Sequence, residues 1–167
     1  MDAEQIRKCL GELGDELRAM NIKGEVCLYG GAVMCLVYDA RPATKDVDAV
    51  FKPAAEMHEA IERVAERNKL PSDWLNDAVK GFLVAHQQKV FLDLSHLKVY
   101  VPEPDYLLAM KAIAARADTF DPEDVKLLIG LLGLKKPDEV FAIIEKYYPR
   151  GQIKPATQYF IEELFEP

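Results

Sequence analysis

A pair of glycines, Gly30-Gly31, divides an apolar stretch and constrains the fold more than any other feature of the sequence. Residues 26–29 (VCLY) have the length of a short strand, and the following AVMCLVY has the length and composition of a buried helix. Glycine permits a sharp turn and lets a phosphate approach the backbone N–H groups closely. A turn that binds no ligand explains the pair equally well, so by itself it predicts only a strand–turn–helix unit.

A second strand follows the polar connection ARPATK and carries two carboxylates. Arg41 precedes Pro42, which disfavours helix there, and DVDAVFK then alternates between apolar and polar residues. Asp46 and Asp48 therefore project from one face of the strand, with Cα atoms roughly 6–7 Å apart. Both can hold one divalent ion such as Mg²⁺ or Mn²⁺, which prefers oxygen ligands. The alternative is that they are exposed carboxylates at the start of a strand.

The remaining segments predict an α+β protein with a small mixed sheet flanked by helices. Residues 1–20 and 54–68 carry apolar stripes at helical spacing, KVFLDL and LKVYV resemble strands, and 72–87 fits a short helix followed by a turn. Every segment of the C-terminal third has a helical pattern. We expect a core with an N-terminal helix at 1–102, and a C-terminal helical lobe at 103–167 packed on it.

Charge and cysteine usage narrow the class of protein. The 167 residues include 21 Lys plus Arg and 28 Asp plus Glu, a net charge of −7, so we do not expect broad coating of nucleic acid. The three cysteines form no C-x-x-C pair, which argues against a disulfide framework and a structural zinc site. No segment resembles a signal peptide or a membrane span, which favours a cytoplasmic protein without a membrane partner.

The segment LYGGAVMCLVYDARPATKDVDAVF, with its glycine pair about fifteen residues before D-x-D, resembles the signature of the DNA-polymerase-β-like nucleotidyltransferases. WLNDAVKGFL, YLLAMKAIAAR and DPEDVKLLIGLLGL are similar to small bacterial nucleotidyltransferase-like proteins related to the abortive-infection toxin family, so the resemblance covers about residues 25–150. It implies a nucleotidyltransferase fold. Gly31 stands where many members have Ser, so backbone N–H groups must contact the phosphate instead.

The resemblance also implies a metal site with three carboxylates. Asp46 and Asp48 match the pair on one strand, and Asp93 in VFLDL matches the hydrophobic-Asp-hydrophobic pattern of the third. These three are then both the metal ligands and the catalytic residues, with Asp77 as the reserve for the third position. The alternative for Asp93 is a carboxylate next to the turn at residues 95–96.

Further residues match the phosphate contacts of these families. Gly30 and Gly31 are implied to cradle the nucleotide phosphates, and Lys111 and Arg116 in MKAIAAR occupy the places of a Lys and an Arg that contact them. The alternative is that Lys111 and Arg116 are charged side chains on the solvent-exposed surface of a helix. Asp121 and Asp124 match an Asp-rich motif, but Asp-Pro with a second carboxylate three residues later favours a helix start.

Two functions follow from these residues. The first is a metal-dependent nucleotidyltransferase that moves a nucleoside monophosphate from a nucleoside triphosphate to a hydroxyl on RNA or protein, within a toxin–antitoxin system that would supply a cognate toxin or antitoxin as partner. The alternative is a non-catalytic, antitoxin-like module that binds a nucleotide or a partner protein. A site with two carboxylates and no third would favour the module.

Overall fold

The structure, a computed structural model, describes residues 1–114 and 122–167, and these divide into two compact units. The sheet unit comprises Met1–Gly81 and Gln88–Pro102. The helical unit comprises Phe82–Gln87 and Glu103–Pro167. Arg116 and Asp121 lie outside the described residues.

The helices and strands of the sheet unit follow the predicted order, with one added strand. They are α1 (Ala3–Ala19), β1 (Gly24–Leu28), α2 (Gly30–Leu36), β2 (Val47–Lys52), α3 (Ala54–Asn68), β3 (Leu75–Asn76), β4 (Gln88–Asp93) and β5 (Leu97–Pro102). A 3₁₀ turn at Ala78–Phe82 follows β3. The two-residue β3 was not predicted, because a strand this short has no periodicity to detect.

The five strands form one mixed sheet in the order β3-β2-β1-β5-β4. Strand β1 is parallel to β5 and antiparallel to β2, β3 is parallel to β2, and β4 is antiparallel to β5. A mixed sheet with helices confirms the α+β class. The order also places β1, which leads into the glycine turn, beside β2, which carries D-x-D.

The two faces of this sheet differ in character. On one face, alternate residues of the strands are buried, and Leu17 of α1 and Met57 of α3 pack there, with atoms 2.8 and 2.9 Å from the position that a Cβ on Gly24 would take. The opposite face carries half-exposed residues, including Asp48 and Tyr100. Polar side chains of β2 therefore project from the face that is opposite to the core.

The helical unit contains four α-helices within the described residues: α4 (Pro104–Ala114), α5 (Pro122–Leu131), α6 (Pro137–Tyr147) and α7 (Pro155–Glu163). Residues 82–87 belong to this unit through hydrogen bonds and ring stacking. The Tyr148 hydroxyl donates to the Phe82 carbonyl at 2.7 Å, and the Val84 N–H donates to the Tyr106 hydroxyl at 3.3 Å. The His86 ring stacks on Tyr106 with centroids 3.9 Å apart. None of the described helices has the length and apolar character to cross a membrane.

Candidate functional site

Gly30 and Asp48 meet where the end of β1 pairs with the start of β2. The Tyr29 N–H donates to the Asp48 carbonyl at 2.8 Å, which extends the antiparallel ladder beyond Leu28. Gly30 has a φ of +58°, a left-handed conformation that glycine adopts without steric cost. A Cβ on Gly30 would lie 2.9 Å from Asp48 Oδ2. The glycine turn therefore lies directly against the carboxylate.

Gly31 is approached by two side chains from the connection between α2 and β2. A Cβ on this residue would lie 2.6 Å from Thr44 Oγ1 and 3.1 Å from Arg41 Nη1. The close approach of both side chains requires glycine at this position. Sequence reasoning treated this connection only as a polar loop and missed both residues. One signal was available in the sequence. Few residues separate the glycine turn from the start of β2, so the α2–β2 connection must lie near that turn.

Backbone pairing with the first residues of the chain holds this connection in place. The Thr44 N–H donates to the Met1 carbonyl at 2.8 Å, and Asp2 forms an isolated antiparallel bridge with Ala43. The Thr44 hydroxyl donates to the Asp46 carbonyl at 3.1 Å. The loop is thus tied at one side to the N-terminal segment and at the other to the start of β2.

Only one of the two D-x-D carboxylates lies on β2. The strand was predicted to begin at residue 46 but begins at the buried Val47, so Asp48 is its second residue and Asp46 precedes it in a bend. Both Asp residues are half-exposed. Alternation within the strand places Asp48 on the face away from the core, where it can meet a ligand that approaches the glycine turn.

Asp93 lies at the opposite end of the sheet from Asp48, which corrects the expected three-carboxylate cluster. Asp93 pairs with Lys98, which pairs with Glu25, which in turn pairs with Lys52 at the far end of β2. This register separates Asp93 from Asp48 by about 13 Å along the strands and about 14 Å across them. Asp93 instead borders a groove of about 480 Å³ that Lys23, Lys52 and His96 also line. One ion cannot contact both Asp93 and Asp48.

Strand β3 brings the reserve candidate closer to D-x-D. In the parallel ladder Asn76 pairs with Asp48, and Asp77 follows immediately. The Asn76 side chain makes local bonds: its Oδ1 accepts from the Ala78 N–H at 3.2 Å, and its Nδ2 donates to the Asp73 carbonyl at 3.3 Å. Asp77 is therefore the nearer of the two proposed third carboxylates by strand register.

The donor set at this end of the sheet suits one hard cation only in part. Asp46 and Asp48 supply carboxylate oxygens, the ligands that Mg²⁺ and Mn²⁺ prefer. Across residues 1–114 and 122–167, no three His, Cys, Asp or Glu side chains lie close enough together to hold a metal ion. An ion at Asp46 and Asp48 would therefore complete its coordination with phosphate oxygens and water, as Mg²⁺ commonly does.

Lys111, predicted to contact phosphate, forms an ion pair within the helical unit. Its Nζ lies 2.6 Å from Asp124 Oδ2, and the side chains of Lys111 and Asp124 are 17% and 3% exposed. Helix α5 begins at Pro122, which confirms the helix start predicted from Asp-Pro, and Asp124 lies in its first turn, where it pairs with Lys111. Contact between Lys111 and a nucleotide would require breaking a largely buried interaction.

A small groove lies further along β2 than D-x-D, toward Lys52. The groove has a volume of about 190 Å³, and Cys27, Val50, Lys52 and Tyr100 are among the residues that line it, whereas Asp46 and Asp48 are not. Burial raises the pKa of the Cys27 thiol to about 11, so the thiol stays protonated at neutral pH. This chemistry suits packing against an apolar or aromatic group and not nucleophilic attack.

Comparison of the chain with protein-family models, curated proteins and solved structures finds no match in any of the three.

Proposed function

We propose that the glycine turn and D-x-D bind a nucleoside triphosphate, and that the protein transfers its nucleoside monophosphate to a hydroxyl on RNA or protein. The observation that carries this proposal is the position of the Asp48 carboxylate, 2.9 Å from where a Cβ on Gly30 would lie. A glycine turn beside a carboxylate offers phosphates backbone N–H groups and an oxygen ligand for a cation in one place. The nucleotidyltransferase fold is part of this proposal.

The residues of this end of the sheet have separate tasks in the proposed reaction. Phosphate groups bind to the backbone of the turn at Gly30 and Gly31, next to the Asp48 side chain that packs against Gly30. Asp46 and Asp48 would hold a divalent cation, which would supply positive charge to the phosphates and favour ionisation of the acceptor hydroxyl. The acceptor oxygen forms a bond to the α-phosphorus, the bond from that phosphorus to the bridging oxygen breaks, pyrophosphate leaves, and the hydroxyl proton passes to solvent.

We assign the nucleoside to the groove further along β2. Val50, which lines it, lies two residues after Asp48 on β2, about 7 Å along the strand. Tyr100 provides an aromatic ring there. A nucleotide with its phosphates at Gly30 would extend its base along this face of the sheet.

A specific observation favours the non-catalytic module as a second candidate. The register places Asp93 at the far end of the sheet, which leaves Asp46 and Asp48 without the third carboxylate of a two-metal site. Two carboxylates and a glycine turn suffice to bind a metal–nucleotide complex. In this case the protein would bind nucleotide, or present the nucleotide-bound face to a partner protein, without turnover.

The proposed transfer is tested by incubating the protein with each of four α-labelled nucleoside triphosphates, Mg²⁺, and cellular RNA or protein. We expect label to enter one acceptor class with wild type, and to be lost in Asp46→Asn and in Asp48→Asn. These variants keep the size of the side chain and remove its charge, and circular dichroism checks that each variant is folded.

Asp93→Asn is the matched control, because it makes the same chemical change on an exposed carboxylate at the other end of the sheet. It should retain wild-type transfer. Transfer that survives in both the Asp46 and Asp48 variants would refute the enzyme. Nucleotide binding that depends on Asp48 without any transfer would support the module.

A further inference from the structure

We propose that Arg41 binds the phosphates of the nucleotide at the glycine turn. This inference rests on the proposed function, because it identifies a contact for the same ligand. The resemblance implied that Lys111 of the helical unit contacts the phosphates. We assign this contact instead to Arg41, in the α2–β2 connection of the sheet unit.

The position of the guanidinium is the first argument. A Cβ on Gly31 would lie 3.1 Å from Arg41 Nη1, so the guanidinium lies against the turn. A Cβ on Gly30 would lie 2.9 Å from Asp48 Oδ2. The two neighbouring glycines therefore contact a carboxylate suited to a cation and a guanidinium suited to an anion.

The way in which the chain holds Arg41 is the second argument. The connection is tied by Thr44 N–H to the Met1 carbonyl and by the Thr44 hydroxyl to the Asp46 carbonyl. The Cys35 thiol lies 3.8 Å from the Pro42 carbonyl, next to Arg41 in sequence. Before Arg41, the Ala40 N–H donates to the Met34 carbonyl at 2.9 Å. Together these contacts fix the backbone on both sides of Arg41, which reduces the entropy lost when it binds a ligand.

The electrostatic balance of the site is the third argument. The whole chain carries a net charge of −7, and Asp46 and Asp48 add negative charge at this end of the sheet. A nucleoside triphosphate would be repelled here unless a protein cation offset part of that charge. Arginine presents several N–H donors in a planar fork that matches phosphate oxygens, and it stays protonated at all relevant pH values.

Titration calorimetry with inorganic tripolyphosphate and with ATP, each in Mg²⁺, tests the assignment, and the tripolyphosphate arm does so whichever base the protein prefers. Arg41→Gln should weaken tripolyphosphate binding at least about tenfold, the size expected for loss of a charged hydrogen bond. Arg41→Lys should recover part of the affinity, since it restores the charge but not the fork. Lys45→Gln is the matched control, because it removes an exposed cation from the same connection and should change affinity less than about twofold.

The outcomes separate this inference from the proposed function. Arg41→Gln with wild-type affinity for tripolyphosphate and ATP, and an unchanged unfolding curve, would overturn the inference while transfer by wild type still supports the enzyme. Equal losses in Arg41→Gln and Lys45→Gln would also overturn it, because they would indicate only non-specific charge attraction. Arg41-dependent binding in a wild type that shows no transfer would support the inference and refute the transferase.

Discussion

Replacement of Lys111 by Met distinguishes a structural cation from a phosphate ligand. The Lys111 ammonium lies 2.6 Å from the Asp124 carboxylate, and the Asp124 side chain is only 3% exposed. Methionine keeps the length and the helix propensity of lysine but removes its charge. The change would remove the Lys111 cation from beside a buried carboxylate.

The size of the effect follows from the burial of each partner. Removal of one member of a buried ion pair typically costs about 3–5 kcal/mol, because the remaining charge stays desolvated. Lys111 is 17% exposed, so some water reaches the pair, and we expect a loss of about 3 kcal/mol in the free energy of unfolding. Asp124→Asn should cost less, about 1–2 kcal/mol, because the flexible lysine stem lets the freed ammonium reach solvent.

Urea unfolding of the full chain, followed by circular dichroism, measures these differences. The double variant Lys111→Met/Asp124→Asn completes a mutant cycle. It should lose about 1–3 kcal/mol less than the sum of the single losses, since the two residues interact directly. Tripolyphosphate affinity should stay at the wild-type value in folded Lys111→Met protein.

Two results would refute this reasoning. One is Lys111→Met protein with wild-type stability and a large loss of tripolyphosphate affinity, which would make Lys111 the phosphate ligand that the resemblance implies. The other is strict additivity in the mutant cycle, which would mean that the ion pair contributes nothing to stability.

Gly30→Ala should lower the free energy of unfolding by about 1–2 kcal/mol, because alanine is strained at a φ of +58° and its Cβ would contact the Asp48 carboxylate. Gly11→Ala is the control in the same urea assay; it should stabilise the chain by up to about 1 kcal/mol, since it lies within α1 with nothing within 4 Å of its Cβ position. Asp48→Asn should reduce the rise in melting temperature that Mg²⁺ plus ATP produces, whereas Asp77→Asn and Asp93→Asn should keep it, because among the described residues no third carboxylate lies close enough to share an ion with Asp46 and Asp48. Loss of that rise in Asp93→Asn alone would contradict the strand register.

Local patterns in the sequence determined most of the secondary structure of the sheet unit. The apolar stripe of residues 1–20 predicts α1, which Asp2 caps by accepting a hydrogen bond from the Gln5 N–H at 2.8 Å. The glycine turn and D-x-D were also recognisable, because both motifs are local and lie within about twenty residues of each other. Interactions between neighbouring residues decide such elements, so the sequence alone contains the necessary information.

Only the tertiary structure decided which of these elements meet. Alternation along a strand predicts the face of a side chain, but not the register against strands that are distant in sequence, and this register moved Asp93 away from Asp48. The same reason applies to Arg41, whose loop contacts Gly31, and to Lys111, whose partner Asp124 lies on another helix. Long-range pairing and packing set these distances, and the physical reason is that hydrophobic burial acts on whole faces of strands and helices rather than on single polar residues.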